Sequence, residues 1–258
     1  MSAIREAVLE GPAARVLGEE LNRDRTLTTS IARIDEFIGG FRAAQVTLLD
    51  SDCSFSDSLL HMLAVRAVSE FDEEVVWVDG GNALDPYSMS SLCKRLRLSR
   101  RDILSRVNVS RAFNAYQLVT LIDERLGAEV ERCAASTVIV SSVADLFLDK
   151  DMRRMESYQL LRRCADRIAA MARAHETVSV VTGQSGGYGR LEPRLARVLY
   201  DRADLVVRMR RRGEGVLLGS PRDGRSMMFS PVPWNQSTLD EFGRCDHGQD
   251  RAHIQARA

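Results

Sequence analysis

Five short apolar runs recur along the chain: VTLLD at 46–50, VVWVD at 75–79, VNVSRA at 107–112, TVIVSS at 137–142 and VSVVTG at 178–183. Longer segments of helical spacing separate them. Runs this short, rich in Val and Ile, suit strands buried on both faces. The clearest helix spans 151–175, where Met152, Met155, Tyr158, Leu161, Ala165, Ile168 and Ala172 recur at three-to-four spacing. Strands alternating with helices build crossover units. The expected fold is therefore α/β, with a mostly parallel central sheet covered by helices. After Asp204 the pattern changes. LVVRMRR, GVLLGSP and RSMMFSP are short runs separated by Gly213–Glu214–Gly215 and Arg222–Asp223–Gly224. Turns of that kind predict hairpins, hence an antiparallel C-terminal extension. The expected organisation is an N-terminal helical lead-in over 1–26, a core over 27–242 and a polar tail over 243–258.

Composition removes several classes of function. No run of about 18 apolar residues exists, so no membrane span is expected. The N-terminus, MSAIREAVLEGPAARVLGEE, mixes acids through its length and has no hydrophobic signal core. The expected location is cytoplasmic, or nuclear in a eukaryote. Formal net charge is zero, so total charge does not announce a nucleic-acid partner. The basic residues are unusual in kind, because only Lys94 and Lys150 are lysines and the rest are arginines. The planar fork of arginine suits phosphate better than the point charge of lysine, so local clusters matter more than the sum. The five cysteines are odd in number and form no C-x-x-C pair. His61, His175, His247 and His253 add no ligand spacing to them. Free thiols are expected, with no metal site and no disulfide framework.

The segment from Val46 to Val65, VTLLDSDCSFSDSLLHMLAV, has the frame of a nucleotide-binding connection: strand, loop, helix. A phosphate loop needs glycines that reach positive φ, a lysine, and a hydroxyl for magnesium. Asp50, Ser51, Asp52, Cys53, Ser54, Phe55, Ser56, Asp57 and Ser58 offer neither glycine nor lysine. Carboxylates beside a triphosphate oppose it by roughly 4 kcal/mol per contact near 4 Å at an effective dielectric of about 20. Asp and Ser do suit helix N-caps, and an ordinary capped turn is the simpler expectation.

Several stretches, taken in order, resemble the ATPase core of the RadA/RecA recombinase superfamily, closest to its RadA-type branch. LTTSIARIDEFIGGFRAAQVTLLD matches the family lead-in through Ile34, Asp35, Ile38, Gly39 and Gly40. VVWVDGGNALDPYSMSSLCKRLRLS is similar to its second strand and following helix. Ser110, Arg111, Ala112, Phe113 and Asn114 resemble its "A-R-A-F-N" signature, TVIVSSVADLF its metal-binding strand, and VSVVTGQ its "V-x-V-T-N-Q" strand. The likeness covers roughly 27–235.

The resemblance implies where catalytic groups would stand. Ser56 and Asp57, or Asp57 and Ser58, take the places of the phosphate-loop lysine and hydroxyl. Gly81 takes that of the water-activating Glu, and Ser141 or Ser142 that of the metal-ordering Asp. Asp145, four residues on, reads as a surface or capping acid. Catalysis of phosphoryl transfer is mostly positioning and charge stabilisation. The resemblance with these losses implies an inactive RadA-like paralog without nucleotide, metal or other cofactor. Gln184 holds the place of a residue that couples nucleotide to DNA in the family. The stretch SGGYGRLEPRLARVLYDR takes that of a DNA-binding loop. Gly186, Gly187 and Gly189 would loosen it, Tyr188 would stack on a base, and Arg190, Arg194 and Arg197 would meet phosphates.

Two further arginine groups read as solvated. Arg208, Arg210 and Arg212 alternate on a strand expected to lie at a sheet edge. Arg95, Arg97, Arg100 and Arg101 lie between a helix and a strand. The implied partners are single-stranded DNA, an active RadA-type recombinase or another paralog, as homo- or hetero-oligomer. Two alternatives stay open: a KaiC-like signalling or scaffold protein without DNA binding, and an ATPase with a rearranged site using Asp145 and an arginine.

Overall fold

A computed structural model describes residues 25–184 and 191–231. Among the described residues ten strands form two sheets. Thr26–Leu27 (β1) pairs antiparallel with Phe41–Arg42 (β2) as a small ribbon. The main sheet comprises Gln45–Ser51 (β3), Val75–Asp79 (β4), Val107–Arg111 (β5), Thr137–Ser141 (β6), Val178–Thr182 (β7), Leu205–Arg212 (β8), Gly215–Ser220 (β9) and Arg225–Phe229 (β10). Its order is β10-β9-β8-β3-β7-β6-β4-β5. The six strands from β3 to β8 are parallel, and β9 and β10 join antiparallel.

The α/β expectation therefore holds, as does the hairpin extension, whose turns place Gly213 and Gly224 at φ 58° and 67°. One expectation fails. β8 is not an edge strand, because β3 lies on one side of it and β9 on the other. Local alternation reports which residues share a face but not what lies beside the strand. Residues 1–24 and the tail 243–258 lie outside the described residues.

Period-two alternation sends successive strand residues into two cores. Leu48, Val76, Val138 and Val181 join one cluster; Leu49, Trp77, Ile139 and Val180 join the other. The second core is covered by Ala32–Ile38 (α1), Phe55–Phe71 (α2), Pro86–Arg95 (α3) and Arg100–Ser105 (α4). The first is covered by Ala115–Thr120 (α5), Leu126–Cys133 (α6), Arg154–Ala174 (α7) and Pro193–Arg202 (α8). A π-helical turn, Leu121–Arg125, joins α5 to α6.

Helix starts follow capping chemistry. Asp85 accepts from the N–H groups of Tyr87 and Ser88 ahead of Pro86, and Asn114 accepts from Gln117 N–H at α5. Glu192 does the same for Arg194 and Leu195 at α8. The end of α8 is met from outside. Arg222, in the β9–β10 turn, donates to the carbonyls of Tyr200 (3.2 Å), Ala203 (2.5 Å) and Asp204 (2.6 Å). In α7 the expected stripe buries Leu161, Ala165, Ile168 and Ala172, but Met155 stands exposed. The helix starts at Arg154, and Ser157 is its first residue to reach the core.

Removing the Asp85 cap by Asp85→Ala should lower unfolding free energy by about 1 kcal/mol in urea titration. An unchanged midpoint would show that Pro86 alone sets the start of α3.

Candidate functional site

In open α/β sheets, ligands gather outside the carboxyl ends of the strands. β3 sits inside the parallel set between β7 and β8, so its end faces groups from both neighbours. The site is built around Asp50, the sixth residue of β3, which is 3% exposed. Burying a carboxylate without a partner is costly, so its surroundings must supply charge. Arg210 of β8 does so, with Nη2 at 2.6 Å from Asp50 Oδ2 and Nη1 donating to the Asp50 carbonyl at 2.7 Å. Tyr200 of α8 donates its hydroxyl to the same Oδ2 at 2.5 Å, and that hydroxyl accepts from Arg208 at 3.0 and 3.2 Å. Burial and the hydrogen bond to Asp50 push the Tyr200 phenol above its ordinary pKa. The second acid of the loop is also engaged: Asp52 accepts from Arg211 N–H at 2.8 Å.

The rest of the loop folds onto itself. Ser51 Oγ donates to the Cys53 carbonyl at 2.8 Å and accepts from Cys53 N–H at 3.2 Å. Ser56 Oγ donates to the same carbonyl at 3.1 Å. The Phe55 ring lies 5.4 Å from that of Phe229, the last residue of β10. The expected side-chain cap is not made. Ser54 is the N-cap of α2 but is itself helical, at φ −66° and ψ −4°, with no side-chain hydrogen bond to the helix. Ser58 Oγ reaches back to the Ser54 carbonyl at 3.5 Å, and Asp57 is half-buried in the first turn. No residue from 45 to 71 has positive φ. A concave row of N–H groups needs alternation of right- and left-handed backbone, so this loop forms no anion nest.

A second polar cluster closes the ends of β4 and β6. Asp79, fully buried, accepts at Oδ1 from Ser141 Oγ (2.9 Å), Ala83 N–H (3.0 Å) and Gly81 N–H (3.3 Å). Its Oδ2 lies 3.1 Å from Arg111, an ion pair without a directed hydrogen bond. Trp77 Nε1 donates to Ser141 Oγ at 2.9 Å. Gly81 therefore lies in the turn that wraps Asp79. Ser141 is a buried relay between Trp77 and Asp79, while Ser142 N–H is held by Thr182 Oγ1 at 2.8 Å. Asp145 opens a 3-10 turn, Asp145–Leu148, beyond this cluster.

His61 of α2 is buried against Trp77, their rings 5.5 Å apart, and accepts from Asp85 N–H at 2.9 Å through Nε2. Burial holds its pKa below the ordinary value, against opposing pulls from Asp85 and Asp79.

Of the residues implicated in coupling and DNA contact, Gln184 is buried just past β7. Its Oε1 has no hydrogen-bond partner among the described residues. Arg194 and Arg197 stand on the solvent face of α8. Gly186, Gly187, Tyr188, Gly189 and Arg190 lie outside the described residues. Arg95, Arg97, Arg100 and Arg101 are exposed, as expected. Of the alternating arginines, Arg208 and Arg212 are exposed as expected, but none lies on an edge strand, and Arg210, 13% exposed, closes on Asp50. Among the described residues no group of three His, Cys, Asp or Glu side chains is placed to hold a metal ion. Nor is any helix among them long and apolar enough to cross a membrane. Cys53, Cys93, Cys133 and Cys164 are free thiols, all but Cys133 buried, and burial pushes the Cys164 thiol up to about 12. Tyr200, His61 and Trp77 carry much of this geometry without a local signal. Only the alternation of Arg208 and Arg210 pointed to a shared face. No protein-family model matches the chain.

Arg210→Ala leaves a buried carboxylate without its cation and should cost about 3 kcal/mol of stability in urea unfolding. Adding Asp50→Asn should recover part of that loss, whereas strict additivity of the two changes would show that the groups do not interact. The His61 environment gives a pH dependence. Its folded pKa lies below the unfolded value of about 6.5. The unfolded chain therefore takes up the proton first as pH falls. The contribution is complete above about pH 6.5 and is lost progressively below it. Urea midpoints measured from pH 7.5 to 5 should fall, and His61→Gln should flatten that slope.

Proposed function

We propose that the chain is a non-hydrolysing RadA-like accessory module that binds single-stranded DNA or an active RadA-type recombinase in homologous recombination. The RecA-like part of this reading is supported by a sheet whose loop-bearing strand lies inside a parallel set and whose far end closes with an antiparallel hairpin. The observation that carries the non-hydrolysing part is the Arg210–Asp50 pair at 2.6 Å. At the end of β3, where a phosphate would need a cation and inward N–H groups, the available cation is committed to an internal acid. The backbone offers no nest there. The DNA arm rests on Arg194 and Arg197 beside the Gly186–Arg190 segment, with Tyr188 as the stacking group.

A second reading, a scaffold without DNA binding, is favoured by a different observation. Phe113 (76% exposed), Tyr116 (56%) and Met155 (68%) present apolar surface near one end of the sheet. Tyr116 is tied to Glu156 of α7 by a 2.7 Å hydrogen bond. Such side chains serve protein interfaces.

Isothermal titration with Mg-ATP should give no binding heat, and a micromolar site would overturn the reading that the end of β3 holds no nucleotide. Fluorescence anisotropy on a single-stranded oligonucleotide should show binding that Tyr188→Ala weakens by about 1–3 kcal/mol. Blank results in both that titration and a pulldown with a RadA-type recombinase would sink the accessory role.

A further inference from the structure

Among the described residues, one face of the main sheet stands without a cover. Val216, Leu218, Met227 and Phe229 of the hairpin extension turn toward the second core. Leu217 and Met228 alternate to the other side and belong to neither core. They are direct cross-strand partners, and Arg210 of β8 stands beside Leu217 in the same row. The next row holds Arg208, Gly219 and Ser226. α8 borders this face through Tyr200, whose ring centre lies 5.7 Å from Arg208 Cζ. Beyond that border the face is open. Met228 is 48% exposed and Ser226 is exposed. A side chain at Gly219 would meet nothing nearer than the Arg225 carbonyl at 3.9 Å.

We propose that residues 232–242, VPWNQSTLDEF, fold back over this face as its cover, with Trp234 seated against Leu217 and Met228. The point of departure fits. β10 ends at Phe229, level with Val216 and Arg211, and Pro231 has no N–H to extend the ladder, so the chain turns off at the margin of the open face. The length fits too. Strand rise and spacing make the face about 14 Å long and about 10 Å wide, and the segment, fully extended, would reach about 36 Å. The chemistry is complementary. Val232, Trp234, Leu239 and Phe242 supply apolar groups for Leu217 and Met228, and Asp240 and Glu241 supply charge for Arg208 and Arg212. Arg212 is exposed, and no carboxylate pairs with it among the described residues. A tethered segment also acts at an effective concentration that a free partner rarely matches. This cover serves the fold whether or not the chain binds DNA.

The chain has two tryptophans, Trp77 and Trp234. Subtracting the emission of full-length Trp234→Phe from that of the full chain therefore isolates Trp234. Its emission should lie to the blue of free tryptophan amide and resist acrylamide quenching. Leu217→Thr with Met228→Thr removes the apolar seat while keeping strand propensity. Measured against its own Trp234→Phe background, that variant should move the emission to the red and raise the quenching constant severalfold. Met228→Thr alone, at a half-exposed position, gives the same readout where the double change does not fold. A Trp234 as open to acrylamide in the native chain as in urea overturns the proposal. So does a shielded Trp234 that ignores the sheet substitutions in a folded variant, because the segment then docks elsewhere. Shielding that appears only as protein concentration rises assigns the face to a second copy and overturns it as well.

Discussion

A carboxylate buried at the end of an interior strand dictates the arrangement around it. Asp50 sits where β3 is flanked by β7 and β8, and its charge must be met from the next strand or from a covering helix. Arg210 and Tyr200 meet it, with Arg208 behind the tyrosine. This joins β3, β8 and α8 through one polar node that tolerates little displacement, because hydrogen bonds weaken steeply with distance and angle. The loop that follows keeps negative φ throughout and folds onto the Cys53 carbonyl through Ser51 and Ser56.

The fold was legible because it rests on local pattern. VVWVD, TVIVS and VSVVT appear as β4, β6 and β7, and the helix of 151–175 is α7 with its ends trimmed. These segments owe their state to burial on both faces or to one apolar stripe, and period alone reports both. The position of β8 inside the sheet was not legible. Arg208, Arg210 and Arg212 read as water-facing because an arginine beside a buried aspartate, 160 positions away in sequence, leaves no trace in spacing. The capped turn expected from Asp and Ser misled for the opposite reason. The loop has good capping chemistry, yet Ser51 and Ser56 both bond the Cys53 carbonyl, and Ser54 at the N-cap makes no side-chain hydrogen bond to the helix.

Position by position, the residues implicated by resemblance divide into two groups. Gly81, Ser141 and Ser142 join the hydrogen bonds around Asp79 and Thr182 at the strand ends. Arg194 and Arg197 point outward and have no partner among the described residues, on a helix held in place by Tyr200 and by the Glu192 cap. The inward groups are committed to the fold and the outward ones face solvent.

Arg222 gives the hairpin extension a role beyond widening the sheet. Its guanidinium takes the Tyr200 carbonyl in the last turn of α8 and those of Ala203 and Asp204 just past it, where helix carbonyls lack intrahelical donors. The β9–β10 turn thus acts as a detached terminator for a helix 20 positions upstream. Fraying of the sheet margin would release those carbonyls at the same moment, so hairpin and helix end constitute one cooperative opening unit.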